Sequence, residues 1–207
     1  HEYGGAQPRV DEAVRKNIRE VADRVTHLAD ESGAALVFIE GEVSSRAELA
    51  SALPERVAEK AVQLQGGGRT AGTDEAEVQH EIGQELLKRR LAAIDDAAQR
   101  FAAGRGTGLA VEGLADVTAA LRDGAVDTLI IGDVGDATVV ADTDLAMLAA
   151  DADTLSALGG APERVLQADE ALPLLAVATS AALVRTDGRL NPADGVAAVL
   201  RYAEMSS

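Results

Sequence analysis

The run from Val111 to Asp133, VEGLADVTAALRDGAVDTLIIGD, constrains the fold more than any other stretch of this chain. Leu114, Val117, Thr118 and Leu121 fall at helical spacing on one face. Gly124 follows the last of them, where a left-handed C-terminal cap needs a residue without Cβ. Val126 to Ile131 is then a short β-branched run suited to a strand covered on both faces. A helix, a glycine stop and a buried strand make an α/β unit, and the rest of the chain is read around it.

Ahead of that unit the sequence predicts a loop over HEYGGAQPR and then a long helix. Asp11 is its expected N-cap, and Val14, Ile18, Val21, Val25 and Leu28 form its expected apolar stripe. Arg15, Lys16 and Arg19 fall off the stripe, and Gly33 ends the helix. A strand is expected over Ala35–Ile39. A short helix should follow, opened by a Ser45/Glu48 capping box and closed by Pro54. Residues 57–65 fit either a strand or a helix, with a strand favoured near the end. GGGRTAGT, 66–73, reads as a linker, which places a domain boundary between 1–72 and 73–207.

A helix of about 74–103 should open the second domain, with Leu87, Leu91, Ile94, Ala98 and Phe101 as its stripe. Beyond the organising unit the expected elements are a strand over 137–141, a helix over 144–158 and a brief strand over 164–167. A helix over 170–178 with Pro173 in its first turn, a strand over 181–185 and an apolar element over 192–202 complete the list. Alternating strands and helices imply a sheet with helices on both faces.

Composition narrows the chemistry. The chain has no Cys, and its three His (His1, His27, His80) are scattered, so neither a thiol nucleophile nor a His-based metal site is expected. The carboxylates Asp133, Asp136, Asp142, Asp144, Asp151 and Asp153 are dense, but their spacing does not fit a calcium loop and reads as a solvated acidic surface. GRGTG, 104–108, follows a helix and lacks the Lys-Ser/Thr of a phosphate loop, so it reads as a turn. His27, beside the stripe, reads as a partly buried structural histidine. Residues 1–72 carry nine Lys and Arg against twelve Asp and Glu, leaving ten against twenty-three in 73–207. Phosphate backbones repel such a second half, so any nucleic-acid contact is expected from the first, and DNA is not an expected partner. No apolar run reaches the ~18 residues of a membrane span, and no signal-like segment is present, so a cytoplasmic protein is expected. The start at His1 suggests a fragment or processed product.

The organising stretch resembles the archaeo-eukaryotic class-1 peptide chain release factor and Pelota family, in the order V-E, A-L, G-A-V and L-I-I of VEGLADVTAALRDGAVDTLII. Three further stretches match in register: LVFIEGEVSSRAEL at 36–49, KAVQLQGGG at 60–68 and DGVAAVLRY at 194–202. The resemblance implies two domains. One is a release-factor middle domain, an α/β module with a long N-terminal helix, cut near its start. The other is a third domain of the L7Ae/L30e type, an α-β-α sandwich. It implies a ribosome-associated translation factor. The middle domain would reach ribosomal RNA near the peptidyl-transferase centre, and the third would dock a translational GTPase.

Gly4-Gly5-Ala6-Gln7 lies where family release factors carry a Gly-Gly-Gln tip. The glycines let backbone approach the peptidyl ester, and the glutamine positions water. Here Ala6 displaces Gln7 by up to ~3.5 Å along the chain, and a shift of ~1 Å can cost about a hundredfold in rate. A non-hydrolytic factor is therefore expected, similar to the Balon-type hibernation factors of bacteria, with no cofactor and no catalytic residue. The enzyme alternative is a peptidyl-tRNA hydrolase using Gly4, Gly5 and Gln7. A third reading is an acidic interaction adaptor that never meets RNA. Arg9, Arg15, Lys16 and Arg19 are the candidate RNA contacts; equally they form a solvated helix face with i,i+4 partners such as Glu12–Lys16.

Overall fold

The computed structural model describes residues 7–65, 75–145, 147–186 and 188–203, with side chains from residue 12 onward. Two compact units are found, His1–Lys88 and Arg89–Ser207.

In the first unit α1 (Gln7–Ser32) leads to β1 (Val37–Ile39), α2 (Val43–Ala52), α3 (Glu55–Ala58) and β2 (Ala61–Gln63). The strands β1 and β2 pair in parallel, Phe38 opposite Val62, with α2 and α3 as the crossover. Helix α1 starts at Gln7, ahead of the expected Asp11 cap, with Pro8 in the first turn where its missing N–H leaves no bond unmade. Gly33, at φ +61°, ends it as expected. The apolar stripe is phased differently from the expected one. Ala22 and Ala29 are buried and Val25 packs on them, whereas Val14, Val21 and Leu28 are 48, 40 and 47 % exposed. Small alanines let α1 approach Leu49, Ala50 and Leu53 of α2 closely, so side-chain size chose the buried face. Helix α2 starts at Val43 with no side-chain cap, so Ser45 is inside the helix and the capping box is not formed.

The helix α4 (Glu75–Gly104) runs through the point where the units divide. The glycine tract behind the expected 72/73 boundary lies outside the described residues. The division falls at Lys88 because the start of α4 belongs to the first unit: the Glu81 carboxylate accepts the Gln65 N–H at 2.6 Å. Of the expected α4 stripe, Ile94 and Phe101 are buried with Ala97, while Leu87 and Leu91 are exposed. Gly104 permits a tight turn, since a Cβ there would meet the Ala110 side chain at 2.8 Å.

The second unit continues with β3 (Ala110–Glu112), α5 (Leu114–Arg122), β4 (Val126–Ile131), β5 (Thr138–Ala141) and β6 (Leu148–Ala149). After these come α6 (Ala152–Ala157), β7 (Arg164–Gln167), α7 (Ala168–Ala178), β8 (Ala182–Arg185), a 3-10 turn Ala193–Gly195 and β9 (Val196–Leu200). A four-stranded sheet in the order β3-β9-β4-β8 has β4 and β8 parallel and β9 antiparallel to both neighbours. A three-stranded sheet has the order β6-β5-β7. The alternation of β9 divides the core. Val196, Ala198 and Leu200 join α5 and α7, while Ala197 and Val199 join Ala97 and Phe101 of α4. The second unit is thus an α-β-α sandwich, and the chain is α/β throughout.

Two expectations fail here. The stretch 144–158 is strand and short helix, because Asp151 caps α6 by accepting the Thr154 N–H at 2.8 Å, and β6 pairs with β5 ahead of it. Helix α7 starts at Ala168, so Pro173 is past the first turn.

Arg100 of α4 pairs with Asp127 of β4, and the Thr128 hydroxyl also donates to that carboxylate. The Arg100 hydrogen bond, followed by that of Thr128, holds the Asp127 carboxyl below its ordinary pKa. A carboxylate lowered on folding stabilises fully above its unfolded pKa of about 3.9, and the contribution is lost as pH falls through the folded value. Thermal melts of wild type and Asp127→Asn should therefore differ at pH 7 and converge at the acid end. Both partners are partly exposed, which limits the gap to about 1 kcal/mol.

Candidate functional site

The exposed arginines of α1 are set by helical phase. Arg15 and Arg19 are one turn apart, and the Arg19 Nε donates to the Arg15 carbonyl at 3.3 Å. Lys16 pairs with Glu20 at 3.9 Å, with both side chains largely exposed, rather than with the expected Glu12. Arg15 and Arg19, with Val14 and Ile18, form one wall of an open groove of about 840 Å³, and Ala47, Glu48 and Ser51 of α2 form the other. An exposed arginine pair on a rigid helix can bind phosphate oxygens without moving the backbone. Glu48 on the opposite wall restricts how closely a phosphate can follow the groove floor.

Gln7 is the first residue of α1 and Arg9 lies in its first turn. Gly4 and Gly5 lie outside the described residues. His27 is exposed beside Glu31, at 3.2 Å, and is not the partly buried histidine expected.

A second, polar cleft of about 540 Å³ opens at the carboxyl ends of the parallel strands β4 and β8, the usual ligand position in an α/β sheet. Asp133, Asp169, Arg185, Thr186 and Asn191 line it. The Asp133 Oδ1 accepts the Gly135 N–H at 3.0 Å, and the Thr186 hydroxyl donates to the Leu190 carbonyl at 3.2 Å. Two other aspartates of the acidic run are likewise turn formers: Asp142 Oδ1 accepts the Met147 N–H, and Asp151 caps α6. Among the described residues no three His, Asp or Glu converge as metal ligands. No described helix is long and apolar enough to cross a membrane.

Sequence reading missed four polar side chains. Asp194, at φ +52°, reaches across the sheet and accepts the Leu114 N–H at 3.0 Å, capping α5 in place of Gly113. Glu112 in return accepts the Ala193 N–H at 3.2 Å. Arg201 donates to the carbonyls of Gly124, Thr179 and Ser180, at the ends of α5 and α7. The fourth is Arg46, which is 4 % exposed. DGVAAVLRY is therefore the segment that locks both helices to the sheet. The Asp-Gly dipeptide signals a turn, but nothing local signals a partner 80 residues away.

The family model of bacterial archaeo-eukaryotic release factor family 2 matches residues 1–107. Uncharacterized protein Rv2629 of Mycobacterium tuberculosis is 52 % identical over 203 residues, 97 % of this chain and 54 % of that protein. The chain spans about half the length of the curated relatives it matches. Among solved structures, ribosome-bound archaeal Pelota with ABCE1 is similar in fold, at TM-score 0.53 and 16 % identity over 91 % of this chain and 49 % of that one. The C-terminal domain of a peptide chain release factor from Methanosarcina mazei aligns at TM-score 0.48 and 21 % identity, over 66 % of this chain and 98 % of that domain.

Proposed function

The chain belongs to bacterial archaeo-eukaryotic release factor family 2, and on that premise we propose that it serves a ribosome-binding translation factor without peptide-release chemistry. The observation that carries the proposal is the pairing of family membership with exposed Arg15 and Arg19 along α1. In this reading α1 meets ribosomal RNA near the peptidyl-transferase centre. The acidic second unit stays clear of RNA and docks a translational GTPase. Occupation of the A site by such a factor suits a hibernation or stress role. The similar archaeal Pelota is described as ribosome-bound, which agrees with this reading.

Sedimentation with ribosomes over a salt series tests the RNA face. Each phosphate contact contributes about −0.7 to −0.9 to the slope of log K against log salt. Replacing Arg15, Lys16 and Arg19 together by glutamate should flatten that slope by about 2 and release the protein at physiological salt. An unchanged slope would remove α1 as the RNA face.

Ala6 between Gly5 and Gln7 is the basis for a non-hydrolytic role. Release of labelled peptide from stalled complexes should stay at background, and Gln7→Ala should not change it. Release above background that is lost in Gln7→Ala would establish the hydrolase instead.

A further inference from the structure

An open apolar groove of about 200 Å³ lies on the α7 side of the second unit. Ala97 and Phe101 of α4 cover the other side of the sheet. Leu174 and Leu175 of α7, Leu145 and Leu148 at the β5–β6 turn, Leu166 of β7 and Arg122 of α5 line the groove. Leu174 is 67 % exposed and Leu145 42 %, apolar surface whose burial by a partner is favourable. Leu145 has φ +58°, a backbone region that leucine rarely adopts. Asp142 holds the turn: its carbonyl accepts the Leu145 N–H at 3.3 Å and its Oδ1 the Met147 N–H at 3.2 Å. Residues kept in such conformations cluster at ligand clamps.

Shape points to a helix as the occupant. Ala171, Leu174, Leu175 and Ala178 fall on one stripe of α7, with alanine at both ends. The small end residues let a second helix approach closely, and the leucines between them meet its anchoring side chains. A volume of about 200 Å³ is under the ~300–1,000 Å³ of pockets that enclose small ligands. Charge narrows the partner further. Arg122 is committed, since its Nη1 donates to the Leu148 carbonyl at 3.2 Å and its Nε pairs with Asp123 at 3.7 Å. Exposed Asp144 precedes Leu145, exposed Glu170 stands one turn before Leu174, and exposed Glu163 and Arg164 lead into Leu166. Asp123, Asp144, Glu163 and Glu170 thus outweigh Arg122 and Arg164, in a half of the chain that is acidic throughout.

We propose that this groove docks an amphipathic helix of a partner protein, one with large apolar residues a turn apart and Lys or Arg beside them. The proposal goes beyond the ribosome reading. Its test uses neither ribosomes nor a GTPase, so either can fail alone.

The test is a fluorescence anisotropy titration with a labelled helical peptide of leucine and lysine, its leucines at i, i+3, i+4 and i+7. The protein should bind it saturably and one to one. A leucine–glutamate peptide of the same spacing should bind at least about tenfold more weakly. Leu174→Ser should weaken binding of the lysine peptide at least about tenfold. Val177→Ser is the control: Val177 is also 67 % exposed but does not line the groove, and its loss should change binding by less than about twofold. Both side chains are exposed, so both variants should fold as the parent does. No binding, equal weakening in the two variants, unchanged binding in Leu174→Ser, or no preference for lysine over glutamate overturns the proposal. So does a dimer of the free protein in analytical ultracentrifugation that Leu174→Ser makes monomeric, which would give the groove to a second copy of this chain.

Discussion

Gly195→Ala is expected to unfold the second unit, with a loss above about 4 kcal/mol. A Cβ at position 195 would stand 2.0 Å from the Asp133 carbonyl oxygen and 2.6 Å from its carbon. The obstruction is backbone, so no rotamer relieves it. Neither side can retreat: the Gly132 N–H donates to the Gly195 carbonyl at 2.8 Å, and the next residues pair as Ile131 with Val196. The φ of +72° adds left-handed strain for any residue with a side chain. Total stabilities of 5–15 kcal/mol are usual, so a loss of this size leaves little of the unit folded. Gly124→Ala is the control. It also has positive φ, +66°, but open space around its Cβ position, and should cost only about 1 kcal/mol. Chemical denaturation followed by circular dichroism distinguishes them. A Gly195→Ala protein as stable as Gly124→Ala would contradict the packing described.

Arg201→Met should cost about 2–3 kcal/mol, the second largest effect expected. One guanidinium serves two helix ends: Nη1 donates to Gly124 O at 3.0 Å, and Nη2 to Thr179 O at 3.0 Å and Ser180 O at 2.9 Å. Those carbonyls lie just past the C-termini of α5 and α7, close to the negative ends of both helix dipoles. The backbone of Arg201 is fixed as well, its N–H donating to Ala125 O at 2.8 Å. Lysine has the charge but not the planar fork, so Arg201→Lys should recover less than half of the loss. Urea unfolding of the two variants reads both values. A loss below about 0.5 kcal/mol in Arg201→Met would place this residue among ordinary surface positions.

These two residues illustrate what the amino-acid sequence could and could not convey. The α5–β4 unit was legible because its signals are local: helical phase, Gly124, then a β-branched run. VAAVL at 196–200 was ambiguous because a strand covered on both faces loses its period-two pattern. The stretch 144–158 has helical composition, but Asp142 and Asp151 bond backbone amides through their side chains and divide it. In α1 the large Val and Leu residues suggested the buried face, whereas alanine allowed the closer helix contact. At the candidate site the phase of Arg15, Lys16 and Arg19 was readable from spacing. The burial of Arg46 and the reach of Arg201 depend on residues far along the chain, and spacing carries no trace of them.

The most direct measurement is electron cryomicroscopy of the protein added to idle ribosomes at low salt. The account predicts density for the protein in the A site, with α1 against ribosomal RNA through Arg15 and Arg19 and the acidic second unit held away from it. Ribosomes without bound protein, or protein bound through the second unit with α1 in solvent, would contradict it.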